Sequence, residues 1–454
     1  MARQLFGTDG VRGRAGHFLT AELATALARA AVARLEHPRP QVLIVRDTRE
    51  SGPMLEAAIA AGVTAAGGDA LLAGVLPTPA APLLLRRHKL DLAAVISASH
   101  NPYEDNGIKL FAADGFKLDD TTEQAIEGDL EQAPGSPAEI GRVHRLHGAL
   151  EDYLRELHVR FQDLDLSGTR ALLDCANGAT FRAAPEIFRR LGAQVDVLAG
   201  QPDGRNINDG CGSTHLQSVL EAMAAGDYDV AFAFDGDGDR VLAVDRRGTV
   251  VDGDELIALA GLHLRERGSL PGGGVAVTVM TNYGFHKAMA AAGIEVATTP
   301  VGDRYVLDEL RRRGWALGGE QSGHIIELGF GPSGDGIAGA LLALEALRGR
   351  DLSERHAMEK LPQRLVNIRA EDRPSLLGAM REQGVESTIE HEQALLAGRG
   401  RVLVRVSGTE PLIRVMVEAP SEGEAAEVAE RLSEVVRRAL GGLAPDGASG
   451  QALA

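Results

Sequence analysis

Leu92-Ala93-Ala94-Val95-Ile96-Ser97-Ala98-Ser99-His100-Asn101-Pro102 decides how the chain is read: an apolar run of strand length breaks into small and polar residues and is stopped by a proline. A strand that ends in a tight polar turn holds a hydroxyl on a rigid scaffold with its backbone amides free, as covalent phosphoryl chemistry requires. Ser99 is therefore the candidate reactive group. The plainer alternative is a capped strand-to-helix turn, because Ser, Asn and Pro are ordinary turn residues. No hydrolase triad is expected. No G-x-S-x-G elbow surrounds Ser99, and neighbours on an extended backbone point to opposite sides, so His100 is not readily its base.

Upstream of this stretch, strands alternate with helices. A helix is expected from Thr20, its cap, to Leu35, then a strand from Val42 to Val45 and a helix from Pro53 to about Ala66. A further helix follows the Pro77-Thr78-Pro79 break. Such alternation implies an α/β layer with a largely parallel sheet, whose strand ends gather ligands. Phe6-Gly7-Thr8-Asp9-Gly10-Val11-Arg12-Gly13-Arg14 reads as a glycine-rich loop whose arginines meet phosphate, or as a tight turn. Just past Ser99 lies Asn106-Gly107-Ile108-Lys109. Lysine is scarce in this arginine-rich chain, which favours a functional Lys109 over a solvated one.

Downstream, Leu146 to Phe161 reads as an interdomain helix, after which a second α/β unit begins. Its expected strands are Ala171 to Cys175, Gln194 to Leu198 and Asp229 to Phe234, with a helix from Ala179 to Leu191 between the first two. The third strand delivers Asp235-Gly236-Asp237-Gly238-Asp239-Arg240, and Val241 to Val244 resumes as a strand. Carboxylates at i, i+2 and i+4, with glycines that let the backbone fold tightly, form an oxygen cage for a hard divalent cation. An EF-hand is rejected, since its glycine position is Arg240 and its twelfth position is Arg246. An acidic surface turn is the remaining alternative, and stacked carboxylates repel one another without a cation. Three carboxylate oxygens leave room for a phosphate oxygen on Mg²⁺.

A third α/β unit is expected from near Asp254, with a helix to about Arg267, a strand Val275 to Met280 and a helix after Asn282. The loop Thr299 to Arg304 precedes another helix. Gly318-Gly319-Glu320-Gln321-Ser322-Gly323-His324 then supplies donors and acceptors of the kind sugar hydroxyls need, or is a solvent-facing loop. Pro362 to Asn367 reads as a hinge into a smaller final domain. There, strands Val402 to Val406 and Leu412 to Val417 flank Ser407-Gly408-Thr409-Glu410-Pro411, a phosphate cradle with Arg405 and Arg414 nearby. A helix from Glu422 to Leu440 closes the fold, and the tail is expected to be disordered.

Composition narrows the function classes. A chain of 454 residues is too long for one ordinary core. Its net charge of −17 argues against nucleic acid and acidic membranes as partners. No apolar run is long enough to span a bilayer and Met1 to Phe6 lacks a signal-peptide core, so the cytoplasm is the expected location. Cys175 and Cys211 are too few for a disulfide framework or a thiolate zinc site.

A carrier serine, a cation cage, a hydroxyl-reading loop and a second phosphate cradle are redundant for hydrolysis and fit a phosphate moving between two positions on one sugar. F-G-T-D-G-V-R-G, I-S-A-S-H-N-P with N-G-I-K, D-G-D-G-D-R, G-E-Q-S-G-H and R-V-S-G-T-E-P resemble the loops of the α-D-phosphohexomutases, over Phe6 to about Leu440. They are most similar to those of members acting on glucosamine phosphate. The resemblance implies three similar α/β domains with mixed sheets plus a smaller C-terminal α+β domain, with the active cleft at their junction. The expected bounds are 1–150, 151–252, 253–363 and 364–442, with a tail at 443–454.

By the same resemblance Ser99 is a phosphoserine, loaded by a sugar 1,6-bisphosphate or by autophosphorylation, and Asp235, Asp237, Asp239 and Ser99 hold Mg²⁺. The expected reaction interconverts glucosamine 6-phosphate and glucosamine 1-phosphate through a 1,6-bisphosphate, towards UDP-N-acetylglucosamine and the bacterial wall. The candidate catalytic set is Ser99, Arg12, Lys109, His324 and His100. The candidate substrate-binding set is Arg240, Glu320, Gln321, Ser322, Ser407, Gly408, Thr409 and Arg414. Glu320 and Ser322 would hold the 3- and 4-hydroxyls, and Gln321 stands where members acting on mannose and glucose phosphates typically carry Met. The alternatives are a mutase for mannose or glucose phosphates and a non-catalytic sugar-phosphate sensor. The expected partner is a phosphosugar; the oligomeric state is left open, a homodimer being one form.

Overall fold

The computed structural model describes residues 5–7, 9–130, 139–370, 373–380, 383–407 and 411–441. The chain divides into two compact units, Met1–Met280 with Ala292–Ala357, and Thr281–Ala291 with Met358–Ala454.

The first unit contains three sheets, each flanked by helices. In the first sheet the strands run in the order Phe6–Gly7, Gly10–Arg14, Asp105–Ala112, Leu92–Ile96, Gln41–Arg46, Asp69–Val75, Val143–Arg145. Leu92–Ile96 is buried along its whole length because helices cover both faces, as its uninterrupted apolar run requires. Thr20 caps the helix Ala21–Val32, its hydroxyl accepting from the Leu23 N–H at 3.3 Å.

The second sheet runs Val250–Val251, Val241–Asp245, Val230–Phe234, Arg170–Asp174, Gln194–Leu198. The third runs Glu295–Thr299, Gly274–Thr278, Leu317–Gly319, Ile325–Glu327. All three sheets are mixed, as the resemblance implies, and for one shared reason; the first, expected from its alternation to be largely parallel, is parallel in three of its six pairings. In each, a strand of the parallel core passes through a short loop and returns antiparallel beside itself: Leu92–Ile96 to Asp105–Ala112, Val230–Phe234 to Val241–Asp245, and Leu317–Gly319 to Ile325–Glu327. The three loops so created are the serine, triple-aspartate and glutamate loops. They occupy one topological position three times over, at the carboxyl ends of parallel strands.

Two segments differ from the sequence reading. Phe6–Gly7 and Gly10–Arg14 form a two-stranded ribbon at a sheet edge, with Val11 opposite Ile108 and Arg12 opposite Gly107. Its glycines obscure the strand period but let the ribbon lie close against its neighbour. Residues Gln363–Arg369, read partly as a hinge, are a strand that pairs antiparallel with Leu412–Glu418 over its full length.

That strand opens the second unit's sheet, ordered Gln363–Arg369, Leu412–Glu418, Arg401–Val406. The helix Glu422–Ala439, capped by Ser421, packs Ala425, Val428, Leu432 and Val436 on Ile413, Val415 and Val417. Tyr283–Ala291 joins this unit, where the Asn282 amide exchanges two 3.0 Å hydrogen bonds with the Leu361 backbone. The expected disordered tail lies outside the described residues.

Candidate active site

Ser99 stands at φ +54°, a left-handed conformation that costs a non-glycine residue about 1 kcal/mol or more. Residues the sequence did not single out hold it there. Arg49, fully buried, donates to the carbonyls of Ser99 at 2.9 Å, Asn101 at 2.8 Å and Asp105 at 2.8 Å, and also to that of Pro102. Its Nε pairs with Asp47 at 2.8 Å, and Asp47 accepts from the Ser97 hydroxyl at 2.6 Å. From the second sheet's side, Asn208 donates to the Ser99 carbonyl at 2.9 Å. The turn is thus held by its backbone oxygens, and the Ser99 side chain is left to other work.

That side chain donates to Asp235 Oδ2 at 2.5 Å. His100 Nδ1 lies 3.3 Å from the same Oγ. The expectation that His100 points away assumed an extended backbone, and the positive φ of Ser99 removes that assumption. Burial pushes the His100 imidazole down to about 4, helped by the Arg240 and Arg12 charges, so the ring is neutral at physiological pH.

Asp235, Asp237 and Asp239 are buried, and one oxygen of each lies within 4.8 Å of the others. Gly238, at φ +74°, turns the loop, and its N–H donates to Asp235 O at 3.1 Å. Gly236 is required for another reason: a Cβ there would lie 2.6 Å from Ser99 O and 2.7 Å from Asn208 Nδ2. Backbone bonds at 2.8–2.9 Å tie the loop to Thr78, Ala179 and Gly336, one element from each of the three sheets' domains.

Asp237 Oδ2 accepts from Lys109 Nζ at 2.8 Å and from Thr78 Oγ1 at 2.7 Å, whereas Asp237 Oδ1 and Asp239 Oδ1 are buried with no hydrogen-bond partner. Burial, then repulsion from Asp239 and Asp237, raises Asp235 well above the ordinary carboxyl range. Unpartnered buried oxygens on carboxylates that approach one another this closely, and a carboxyl pushed up by its neighbours' charge, are the marks of a cation cage. The donor set is all oxygen and fits a hard divalent ion.

Lys109, on the returning strand Asp105–Ala112, is only 1% exposed. Burial disfavours its ammonium, but Asp237, Asp9 and Asp239 outweigh burial and raise its pKa. Its Nζ lies 3.0 Å from Asp9 Oδ2, and Asp9 also pairs with Arg12. Arg12 reaches the serine turn itself, with Nη1 3.5 Å from Ala98 O.

The glutamate loop docks on the aspartate loop through an antiparallel bridge between Arg240 and His324, and Val241 N donates to Gly323 O at 3.0 Å. His324 is 3% exposed, with Nδ1 3.8 Å from Asp239 Oδ1 and Nε2 3.6 Å from Asp303 Oδ2. Nε2 also accepts from Gly334 N at 3.1 Å, which requires its lone pair and leaves Nδ1 as the protonated nitrogen of the neutral ring. Burial opposes the imidazolium, but the neighbouring Asp239 carboxylate, then Asp303, raises the ring's pKa.

Glu320 Oε1 accepts from Gly302 N at 3.0 Å, leaving its other oxygen for a hydroxyl; Ser322 is exposed. Gln321 turns its Nε2 to Asp252 Oδ2 at 3.2 Å, and Asp252 in turn caps the helix Gly253–Glu266.

Ser99, Arg12, Lys109, His100, the three aspartates, Arg240, Glu320, Gln321, Ser322 and His324 all lie in the first unit. In the second unit Ser407 is 2% exposed, and Arg405 and Arg414 stand opposite each other across two strands. Gly408 and Thr409 lie outside the described residues. Sequence reasoning passed over Asp9, Asp47, Arg49, Thr78, Lys117, Asn208 and Asp303. Asp9, Thr78 and Asp303 lie in stretches singled out as loops or breaks, though none of the three was given a role; the other four had no local signal.

Four family models, described as phosphoglucomutase/phosphomannomutase alpha/beta/alpha domains I, II and III and C-terminal domain, match residues 3–134, 151–248, 252–365 and 365–435. A phosphoglucosamine mutase of Heliobacterium modesticaldum is 48% identical over 461 residues, covering 96% of this chain and 99% of that protein. Its counterpart in Moorella thermoacetica is 49% identical, with 95% and 99% covered. Among solved structures, a phosphoglucomutase/phosphomannomutase family protein from Burkholderia thailandensis aligns over 98% of this chain and 99% of its own, with TM-score 0.82 and 24% identity. An Aspergillus fumigatus N-acetylphosphoglucosamine mutase, solved with GlcNAc-6P and magnesium, aligns with TM-score 0.66 at 18% identity, over 96% of each chain.

Proposed function

The chain belongs to the phosphoglucomutase/phosphomannomutase family, and from that premise we propose that it interconverts glucosamine 6-phosphate and glucosamine 1-phosphate, with Ser99 as the phosphoryl carrier. The observation that carries this reading is the direct bond between Ser99 Oγ and the aspartate cage, with the buried Lys109 ammonium on the cage's far carboxylate.

Phosphorylated Ser99 gives its phosphoryl group to O1 of glucosamine 6-phosphate, forming the 1,6-bisphosphate. After the sugar turns over, the 6-phosphoryl group returns to Ser99 Oγ and glucosamine 1-phosphate leaves. Phosphoryl transfer asks the protein chiefly to position groups and to neutralise charge. Asp235, Asp237 and Asp239 are the residues that would hold Mg²⁺, which when bound supplies positive charge to the phosphoryl oxygens.

Lys109 and Arg12 add two further cations beside Ser99, each steered by Asp9. Lys109 and His324 are the candidates for exchanging a proton with the reacting sugar oxygen, Lys109 as a donor, since the carboxylates around it favour its ammonium. Glu320, Ser322 and Gln321 read the sugar; Ser407 and Arg414, in the second unit, are the phosphate-binding candidates there.

The test is intact mass of the purified protein, followed by a coupled assay with glucosamine, glucose and mannose 6-phosphates in competition, with and without Mg²⁺. Preference for the glucosamine ester together with an added phosphate on Ser99 supports the reading. Preference for mannose or glucose phosphate reassigns the substrate, and no turnover of any ester leaves the sensor.

A further inference from the structure

We propose that Lys117 is a positioning residue that locks His324 and Lys109 into one fixed constellation by bridging Asp9 and Asp303. The inference rests on the proposed roles of those two groups. Lys117 Nζ lies 2.5 Å from Asp9 Oδ1 and 2.5 Å from Asp303 Oδ2, with its side chain 10% exposed. Asp9 Oδ2 faces Lys109 at 3.0 Å, and Asp303 Oδ2 is 3.6 Å from His324 Nε2. A continuous ionic chain therefore runs Asp303, Lys117, Asp9, Lys109, with the His324 ring packed against its Asp303 end, and Lys117 joins the two carboxylates.

The backbone explains how Lys117 comes to be there. After the strand Asp105–Ala112 the chain turns through Gly115, at φ +86°, and comes back so that Lys117 bridges Phe111 antiparallel. Residues paired across antiparallel strands share a face, and residues two apart on a strand share a face. Lys117 therefore stands on the same face as Phe111 and Lys109.

The turn is also clamped onto the elements around the third sheet. Phe116 packs against a cluster that includes Val306, Leu310 and Trp315, with the Arg311 guanidinium 4.2 Å above its ring. Arg304 donates to Leu118 O at 3.3 Å, to Glu123 at 2.8 Å and to Asp120. Apolar packing and the Arg304 contacts would join these elements without any lysine. What Lys117 adds is charge at the one point where two carboxylates, each steering an acid/base group, converge. Without it, Asp9 and Asp303 face each other unscreened in a buried place, and the loop carrying Asp303 moves away from His324.

The experiment compares Lys117→Met, Lys117→Arg, Asp303→Asn and the Lys117→Met/Asp303→Asn pair with wild type, on whichever hexose phosphate the wild type turns over. A wrong substrate assignment then shows as wild-type inactivity on the glucosamine ester and leaves the variant ratios intact. Lys117→Met is expected to lower kcat about tenfold to a hundredfold, the cost of a displacement near 1 Å at the chemistry, with KM within about threefold. Lys117→Arg, which keeps a cation between the carboxylates, is expected to recover most of that loss. The pair is expected to be no worse than Lys117→Met, since both substitutions break one bridge. If Lys117→Met does not fold, Lys117→Arg and Asp303→Asn carry the same comparison. Wild-type kcat in Lys117→Met, an equal fall in Lys117→Arg, a rise in KM with kcat unchanged, or losses that multiply in the pair would each overturn the proposal.

Discussion

Ser99 Oγ donates a 2.5 Å hydrogen bond to Asp235 Oδ2 across 136 residues of chain. Each residue follows a parallel strand of a different sheet, so their contact depends on how the two sheets pack and on the turn that aims the serine.

Ser99→Ala should fold as wild type does and lose mutase activity, because the carrier oxygen is gone while the turn is held through backbone carbonyls. Alanine meets the same left-handed φ at the same steric cost, so backbone strain does not change. Mutase turnover and intact mass check this. Near-normal turnover, or a phosphate retained elsewhere at full stoichiometry, would remove Ser99 from the mechanism.

Arg49→Met should abolish activity although Arg49 touches neither the cage nor Ser99 Oγ. Four backbone carbonyls lose the guanidinium and Asp47 loses its buried counter-charge, and breaking one partner out of a buried pair costs about 3–5 kcal/mol. Arg49→Lys should rescue little, since three ammonium donors cannot replace a planar five-donor fork. Thermal unfolding and turnover measured on both variants decide it; an active Arg49→Lys would show that charge alone holds the turn.

What the sequence made legible follows from where the information sits. The serine and aspartate loops each couple a short apolar strand to an unusual polar turn, and both halves are local, so residues 92–102 and 230–240 were readable in place; the glutamate loop was readable only from its polar residues 320–324, because the strand Leu317–Gly319 is too short and glycine-rich to carry a period. Arg49, Asn208 and Lys117 were not. Each acts on residues 50 or more positions away, and in the sequence each looks like an ordinary polar residue of a loop or strand end. His100 was misjudged in direction for a related reason, since a positive φ at a serine has no sequence signature. The repeated plan of the three sheets left no sequence repeat, because a parallel core and an antiparallel return need only apolar period and turn residues.

Asp335→Asn should make stability less sensitive to pH. Burial raises the Asp335 carboxyl from 3.8 to about 6, against the Ala338 N–H and Tyr153 hydroxyl bonds that favour its ionised form. A carboxyl raised in the folded state contributes stability below its unfolded value of about 4, and that contribution is lost as pH rises through 6. The difference corresponds to about 3 kcal/mol at pH 7 and above. Asparagine keeps a helix-capping oxygen and carries no charge. Urea unfolding at pH 4 and pH 7.5 should therefore show the variant gaining on wild type as pH rises; an equal gap at the two pH values would mean that Asp335 ionises in the fold without cost.

Gln321→Met tests how the sugar is chosen. Glucosamine differs from glucose at C2 by an amine, a donor that gains from a nearby acceptor. Because Gln321 Nε2 is committed to Asp252 Oδ2 at 3.2 Å, the carbonyl end of the amide is the end left to accept; methionine offers only a weakly accepting thioether. A hydrogen bond to a charged group is worth roughly 1.5–3 kcal/mol, about a tenfold to hundredfold preference when it persists in the transition state. The variant should therefore lose that factor in kcat/KM for glucosamine 6-phosphate while keeping or improving its value for glucose 6-phosphate. The Asp252 bond also defines the opposite outcome. Asp252 caps the helix Gly253–Glu266, and Gly253 N donates to Gln321 O at 3.0 Å, so a side chain that only braces the loop would, when removed, shift Glu320 and Ser322 for every sugar alike. Equal falls for the two esters would assign Gln321 to the brace and leave reading of the amine to another residue.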